Sequence, residues 1–151
     1  MSMAIIEYEL TINAPPAAVY QASQDYSVRY QWDPFPEKIE LLEGATEVGI
    51  GVRTRVIAKS GLSMVVEFVQ VAPPTTAAIV MTQGPSFIRS FAGSWVFKAA
   101  DNNATRAKFR YSVKTRLWAI PPLSEFIATR YFKKAIVARL NGLKQFCERS
   151  V

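Results

Sequence analysis

The sequence predicts an α+β fold in which a curved, seven-stranded antiparallel sheet packs around one long C-terminal helix, with two short helices between strands 1 and 2. Three observations predict it. Up to Thr115, most of the chain falls into short runs that alternate apolar and polar residues, separated by Pro, Gly, Asp and Asn turn signals. From Pro121 the alternation gives way to an apolar stripe of helical period, with no proline after Pro122. The six later strands read as a meander with one apolar face to cover, and the last helix is the only element large enough to cover it.

Each element follows in order. In AIIEYELTI, Ile6, Tyr8, Leu10 and Ile12 fall on one face and Glu7, Glu9 and Thr11 on the other, which is a half-buried strand. NAPPAAVYQASQDY opens a short helix, with Asn13 or Ala14 as its cap and proline in its first positions, where an N–H would be unpaired anyway. SVRYQW is a second short helix or turn. Asp33-Pro34 and Pro36 then force the chain into extended form, because each proline lacks a donor and restrains its predecessor. Trp32 is therefore read mainly as a corner residue packed on the last helix or the cavity, with ligand contact secondary, and Asp33 as a turn or cap residue. KIELLEG, VRTRVIA, LSMVVEFVQV, TTAAIVMT, RSFAGSWVFKA and TRAKFRYSVKT supply the remaining strands. In the last of these, Ala107, Phe109, Tyr111 and Val113 oppose Arg106, Lys108, Arg110 and Lys114, and Asp101-Asn102-Asn103 marks the preceding turn. In the closing helix, Phe132, Ile136, Leu140, Leu143 and Cys147 share one stripe, with Lys134, Asn141, Gln145 and Glu148 roughly opposite.

The bulk properties narrow the function. The 151 residues contain no repeat, linker or low-complexity segment, so a single domain over 1–151 is expected. No apolar run approaches the ~18 residues of a membrane span. MSMAIIEYEL lacks the basic and apolar regions of a secretory signal, and Cys147 is alone, which together suggest a cytoplasmic protein. The sequence has no His. That excludes Ser-His and Cys-His nucleophiles and His-ligated metals, and one Cys excludes thiolate clusters. Neither metal nor cofactor is expected, and acid–base work would fall to Asp, Glu, Lys, Arg or Tyr. A net charge of +6 admits anionic partners. Alternation places Arg53, Arg55, Arg106, Lys108, Arg110 and Lys114 on the outer sheet face. That face lacks the interleaved aromatics of a single-strand-binding sheet, so a solvated surface is expected and nucleic-acid or ribosome binding is the lesser reading.

The element order, together with INAPPAAVYQASQDY, YQWDPFPEKIELLEG, GSWVFKAADNNAT and the closing ARLNGLKQF, resembles the helix-grip fold of the Bet v 1/START-like (SRPBCC) superfamily. The chain is most similar to its bacterial polyketide cyclase/dehydrase and lipid-transport branch, which includes coenzyme-Q-binding relatives. The resemblance covers essentially the whole chain. It implies a cavity between sheet and helix that holds a hydrophobic small molecule such as a lipid, quinone or polyketide. It implies, as an alternative, a polyketide cyclase or dehydratase. Some cyclase relatives use Tyr and Arg in their pockets, whereas here Arg53, Arg55, Arg106 and Arg110 all fall outside by alternation, a departure from an Arg-lined pocket.

Inward strand positions would line such a cavity: Met64, Val66 and Phe68, then Ala77, Ile79 and Met81, then Trp95 and Phe97, and finally Phe109 and Tyr111. In a meander every second connection lies at the same end, so Lys59–Gly61, Thr82–Arg89 and Arg116–Leu123 should cluster there. Phe87, Ile88, Leu117, Trp118 and Ile120 are apolar residues on those connections. They form either a ligand mouth that touches an anionic membrane or a plug over the core. Glu125 and Thr129 share helical phase with Phe132 and Ile136. Glu125 is either a ligand-binding or acid–base carboxylate or an exposed first-turn acid that suits the helix dipole. The candidate ligand-binding residues are thus Met64, Phe68, Met81, Phe87, Trp95, Tyr111, Trp118, Glu125, Thr129 and Phe132, and the candidate catalytic pair is Tyr111 with Glu125.

Overall fold

Strand β1 (Ala4–Ile12) alternates burial as its sequence does, with Ile6 and Ile12 inside and Glu7, Glu9 and Thr11 outside. The computed structural model describes residues 3–116 and 121–149, with side chains of the last helix described from Phe126 onward. After β1 come helices α1 (Pro16–Gln24) and α2 (Arg29–Trp32), strands β2 (Pro36–Leu41), β3 (Arg53–Ala58), β4 (Ser63–Ala72), β5 (Thr76–Gln83), β6 (Ile88–Ala100) and β7 (Ala104–Thr115), and helix α3 (Pro121–Arg149). The strands form one seven-stranded antiparallel sheet in the order β1-β7-β6-β5-β4-β3-β2. The sheet curls around α3, which is the helix-grip arrangement.

Local chemistry sets the boundaries. The cap of α1 is Pro15, not Asn13 or Ala14, and Pro16 begins the helix. The Asn13 N–H instead donates to Glu148 Oε2 at 2.9 Å, which ties the end of β1 to the end of α3. At the β6–β7 turn, Asn102 and Asn103 take φ of 62° and 58°, a left-handed conformation that Asn tolerates. The β4–β5 pairing carries two irregularities, with Thr82 as the extra residue on β5 opposite Val65 and Val66 and Val69 as the extra residue on β4 after Phe68.

The apolar stripe of α3 fills the concave sheet face. Phe132, Ile136, Leu140, Leu143 and Cys147 are buried there, as their spacing predicts. Gly142 lets the helix pass close to the corner after α2, because a Cβ at this position would run into the Trp32 carbonyl oxygen. Burial, followed by the neighbouring Glu148, pushes the Cys147 thiol up to about 11, so it behaves as a core side chain. Among the described residues, no helix is long and apolar enough to cross a membrane.

Candidate functional site

The space between sheet and helix holds a small inner cavity of about 70 Å³, walled largely by apolar residues that include Met64, Phe68, Trp95 and Phe132. Strand alternation sends Trp95, Phe109 and Tyr111 inward from adjacent strands. Trp95 stacks on Phe109 with ring centroids 3.8 Å apart, and Tyr111 meets Phe109, Phe91 and Phe132 at 4.8, 4.7 and 5.4 Å. Gly93 makes room for this packing, since a Cβ there would lie 3.1 Å from the Tyr111 ring.

One wall of the cavity carries Arg29 and Arg139, with Asp33 between them. Asp33, Arg29 and Arg139 are 4%, 4% and 6% exposed. Arg29 Nε donates to Asp33 Oδ2 at 2.8 Å, and Arg139 donates from Nη2 to the same oxygen at 2.9 Å and from Nε to Oδ1 at 3.1 Å. Arg139 Nη1 also donates to the Tyr111 hydroxyl. Aromatic rings cover the guanidinium faces: Phe35 and Phe109 lie 5.0 Å from that of Arg139, and Tyr26 and Trp32 lie 5.1 Å from that of Arg29. Burial by itself pushes the Asp33 carboxyl up, but Arg139 and Arg29 outweigh it and hold the group below the usual carboxylate range. Burial alone would lower Arg139, yet Asp33 and Tyr111 hold it above its ordinary value. Burial raises Tyr111, so its hydroxyl stays neutral. Chemically, this wall can donate hydrogen bonds and stabilise negative charge.

These positions revise two expectations. Arginines do line the pocket, but they come from α2 and α3, not from the strands. Asp33 is a turn residue, since its Oδ1 accepts the Phe35 N–H at 3.0 Å, and it is also the carboxylate at the centre of the buried network. Trp32 is the buried corner residue expected. Its Nε1 donates to the Ala22 carbonyl at 3.1 Å, and its ring meets Trp95 edge-on at 6.0 Å.

A second, open pocket of about 890 Å³ lies at one end, where the β3–β4 turn, the β5–β6 connection and the start of α3 converge. Phe87, Ile127 and Tyr131 line it, and Ser60 and Tyr131 hydroxyls meet across it at 2.6 Å. Leu62, Met64 and Phe132 border both this mouth and the inner cavity. Arg116 joins the cluster, with its Nε donating to the Ser86 carbonyl at 2.8 Å. The described parts of the three connections, with Arg116 for the last, thus meet at one end, as the meander pattern predicts.

Of the residues singled out from sequence, Met64, Phe68, Trp95, Tyr111 and Phe132 border the inner cavity and Phe87 borders the mouth. Met81 is half-buried and borders neither; its side chain packs beside Gly84. Thr129 is exposed, and the stripe position nearest it is taken by Ala128. The physical reason is that this end of α3 borders the open mouth, so helical phase alone does not bury a residue there. Trp118, Leu117 and Ile120 lie outside the described residues, as does the side chain of Glu125.

Residues 3–148 match the sequence model of the family described as "Polyketide cyclase / dehydrase and lipid transport". Among solved structures, the chain is similar to the Zhui aromatase/cyclase from Streptomyces sp. R1128, with a TM-score of 0.83 and 21% identity over 98% of this chain and 95% of that one. It is also similar to a START superfamily protein from Mycobacterium smegmatis, with a TM-score of 0.77 and 11% identity over 97% of this chain and 99% of that one. At these identities the likeness establishes the fold. No curated protein sequence gives a significant match.

Proposed function

Because the chain belongs to the polyketide cyclase/dehydrase and lipid transport family, we propose that it binds a hydrophobic small molecule between its sheet and its C-terminal helix. The observation that carries this reading is the adjacency of an apolar mouth and an inner cavity across Leu62, Met64 and Phe132. Apolar surface drawn from water there contributes about 25 cal/mol per Å² before ordering costs, and the buried Tyr111 and arginines give a ligand its orientation. Binding is favoured over cyclase-type proton shuttling for a chemical reason. A general acid or base works best near the operating pH. In the buried network beside the cavity, Tyr111 and Arg139 are raised and Asp33 is lowered, away from that range.

Native mass spectrometry of protein purified gently from cells tests this reading. The expected result is a bound apolar molecule that organic extraction removes and that rebinds saturably. A bare chain in every preparation, with no saturable uptake of a quinone, fatty acid or polyketide analogue, would overturn it.

A second observation extends the reading to where the ligand is exchanged. Phe87 and Ile127 line the mouth and are 41% and 56% exposed, and Phe126, next to Ile127 on the helix, is 60% exposed. Exposed Arg89 and Arg130 stand within three residues of them in the chain, and the backbone N–H of exposed Arg116 donates to the Phe87 carbonyl at 3.0 Å. An apolar rim with cationic neighbours suits contact with an anionic membrane.

A further inference from the structure

We propose that the inner cavity selects apolar molecules that end in a carboxylate, a refinement that rests on the binding function above. Its basis is a count of buried charge. Among the described residues, the buried charged side chains are Arg29, Asp33 and Arg139. Two guanidiniums face one carboxylate, so the cluster holds an excess of one positive charge away from water. Tyr111 does not balance it, because burial keeps its hydroxyl protonated. An unmatched buried charge is costly, and an incoming anion relieves that cost.

Donors remain for such an anion. Arg29 commits Nε to Asp33 and Nη1 to the Ser23 carbonyl at 3.1 Å, and no described residue accepts from its Nη2. The Tyr111 oxygen accepts from Arg139, and no described residue accepts the Tyr111 hydroxyl proton. Arg29, Arg139 and Tyr111 all border the inner cavity. A carboxylate fits this set in three ways. Its single charge equals the excess. Its planar pair of oxygens matches the guanidinium fork. Its small head suits a cavity of about 70 Å³ better than a tetrahedral phosphate ester does. The apolar tail then passes Leu62, Met64 and Phe132 into the mouth.

The test compares decanoate with 1-decanol, which share a chain and differ in head charge, by isothermal titration calorimetry at pH 8. The wild-type protein is expected to bind decanoate at least tenfold more tightly than decanol. Arg29→Met leaves one guanidinium and one carboxylate, a balanced pair, so the preference for decanoate over decanol is expected to fall to about twofold or less. Equal wild-type affinities, or an undiminished preference in folded Arg29→Met, overturn the proposal and leave the binding function standing. Failure of both compounds to bind the wild-type protein overturns both. If Arg29→Met does not fold, the wild-type comparison decides alone.

Discussion

Removing the Asp33 carboxylate leaves two guanidiniums buried against aromatic rings with no counter-charge. Breaking a buried ion pair on one side typically costs about 3–5 kcal/mol. Asp33→Asn should therefore lower the melting temperature by roughly 6–20 °C for a domain of this size; a fall of only a degree or two would mean that water reaches the site. The sign of the pH dependence follows from the lowered Asp33 value. Its contribution is fully present above the unfolded carboxylate pKa of about 3.9 and is lost as pH falls through the lower folded value. Wild-type stability should therefore drop more steeply below about pH 4 than that of Asp33→Asn, and parallel curves in denaturant melts at pH 2–6 would contradict this. The signal for this network was in the sequence. Arg139 lies between Ile136 and Leu143 at helical spacing, so a charged residue occupies the middle of an apolar stripe. Arg29 and Asp33 are four apart, but Asp33 precedes a proline, and the turn chemistry of that dipeptide hid its second role.

Helix α3 is held at two different distances along its length. Near its C-terminal half, Gly142 brings it against the Trp32 carbonyl, and Lys144 Nζ donates to the Thr11 carbonyl at 2.8 Å. Gly142→Ala would gain about 1 kcal/mol of helix propensity. It would also drive a Cβ into backbone, where overpacking costs about 1–3 kcal/mol. Because the obstructing atom is backbone and not the tip of a flexible side chain, the clash should win, with a net loss of up to about 2 kcal/mol in chemical denaturation; an unchanged or raised midpoint would show that the corner yields. At its start the same helix leaves Phe126, Ile127 and Thr129 exposed. Periodicity fixes which residues share a stripe, but not where along the helix the opposing sheet ends. That is why Phe132, Ile136 and Leu143 were legible as core while Thr129 was not.

At the scale of the molecule, the strand order was legible because alternation in each run agreed with its neighbours, and because one helix alone matched the uncovered face. Cavity size and the convergence of α2 with α3 were not, since they depend on three-dimensional approach rather than on pattern. Charge shows a similar division. On the outer sheet face, Arg106 pairs with Glu9 at 2.6 Å, Arg55 with Glu40 at 3.5 Å, and Arg53 with Glu43. These exposed pairs contribute little to stability, but they lower the density of free positive charge there, which favours a solvated face over a nucleic-acid platform. The mouth differs, because its cations accompany exposed apolar side chains. Vesicle co-sedimentation should therefore show more protein bound to phosphatidylcholine vesicles containing anionic phosphatidylglycerol than to phosphatidylcholine alone. Each basic residue near an anionic surface contributes about 1 kcal/mol, and binding should weaken between low and high salt as screening shortens to a few ångströms. The double substitution Phe126→Ser and Ile127→Ser removes two side chains that are 60% and 56% exposed, so the melting temperature should hold while the bound fraction falls several-fold. Equal sedimentation with neutral and anionic vesicles would argue against charge-guided contact. Undiminished binding by the double variant would move the contact away from the mouth and separate membrane association from ligand exchange.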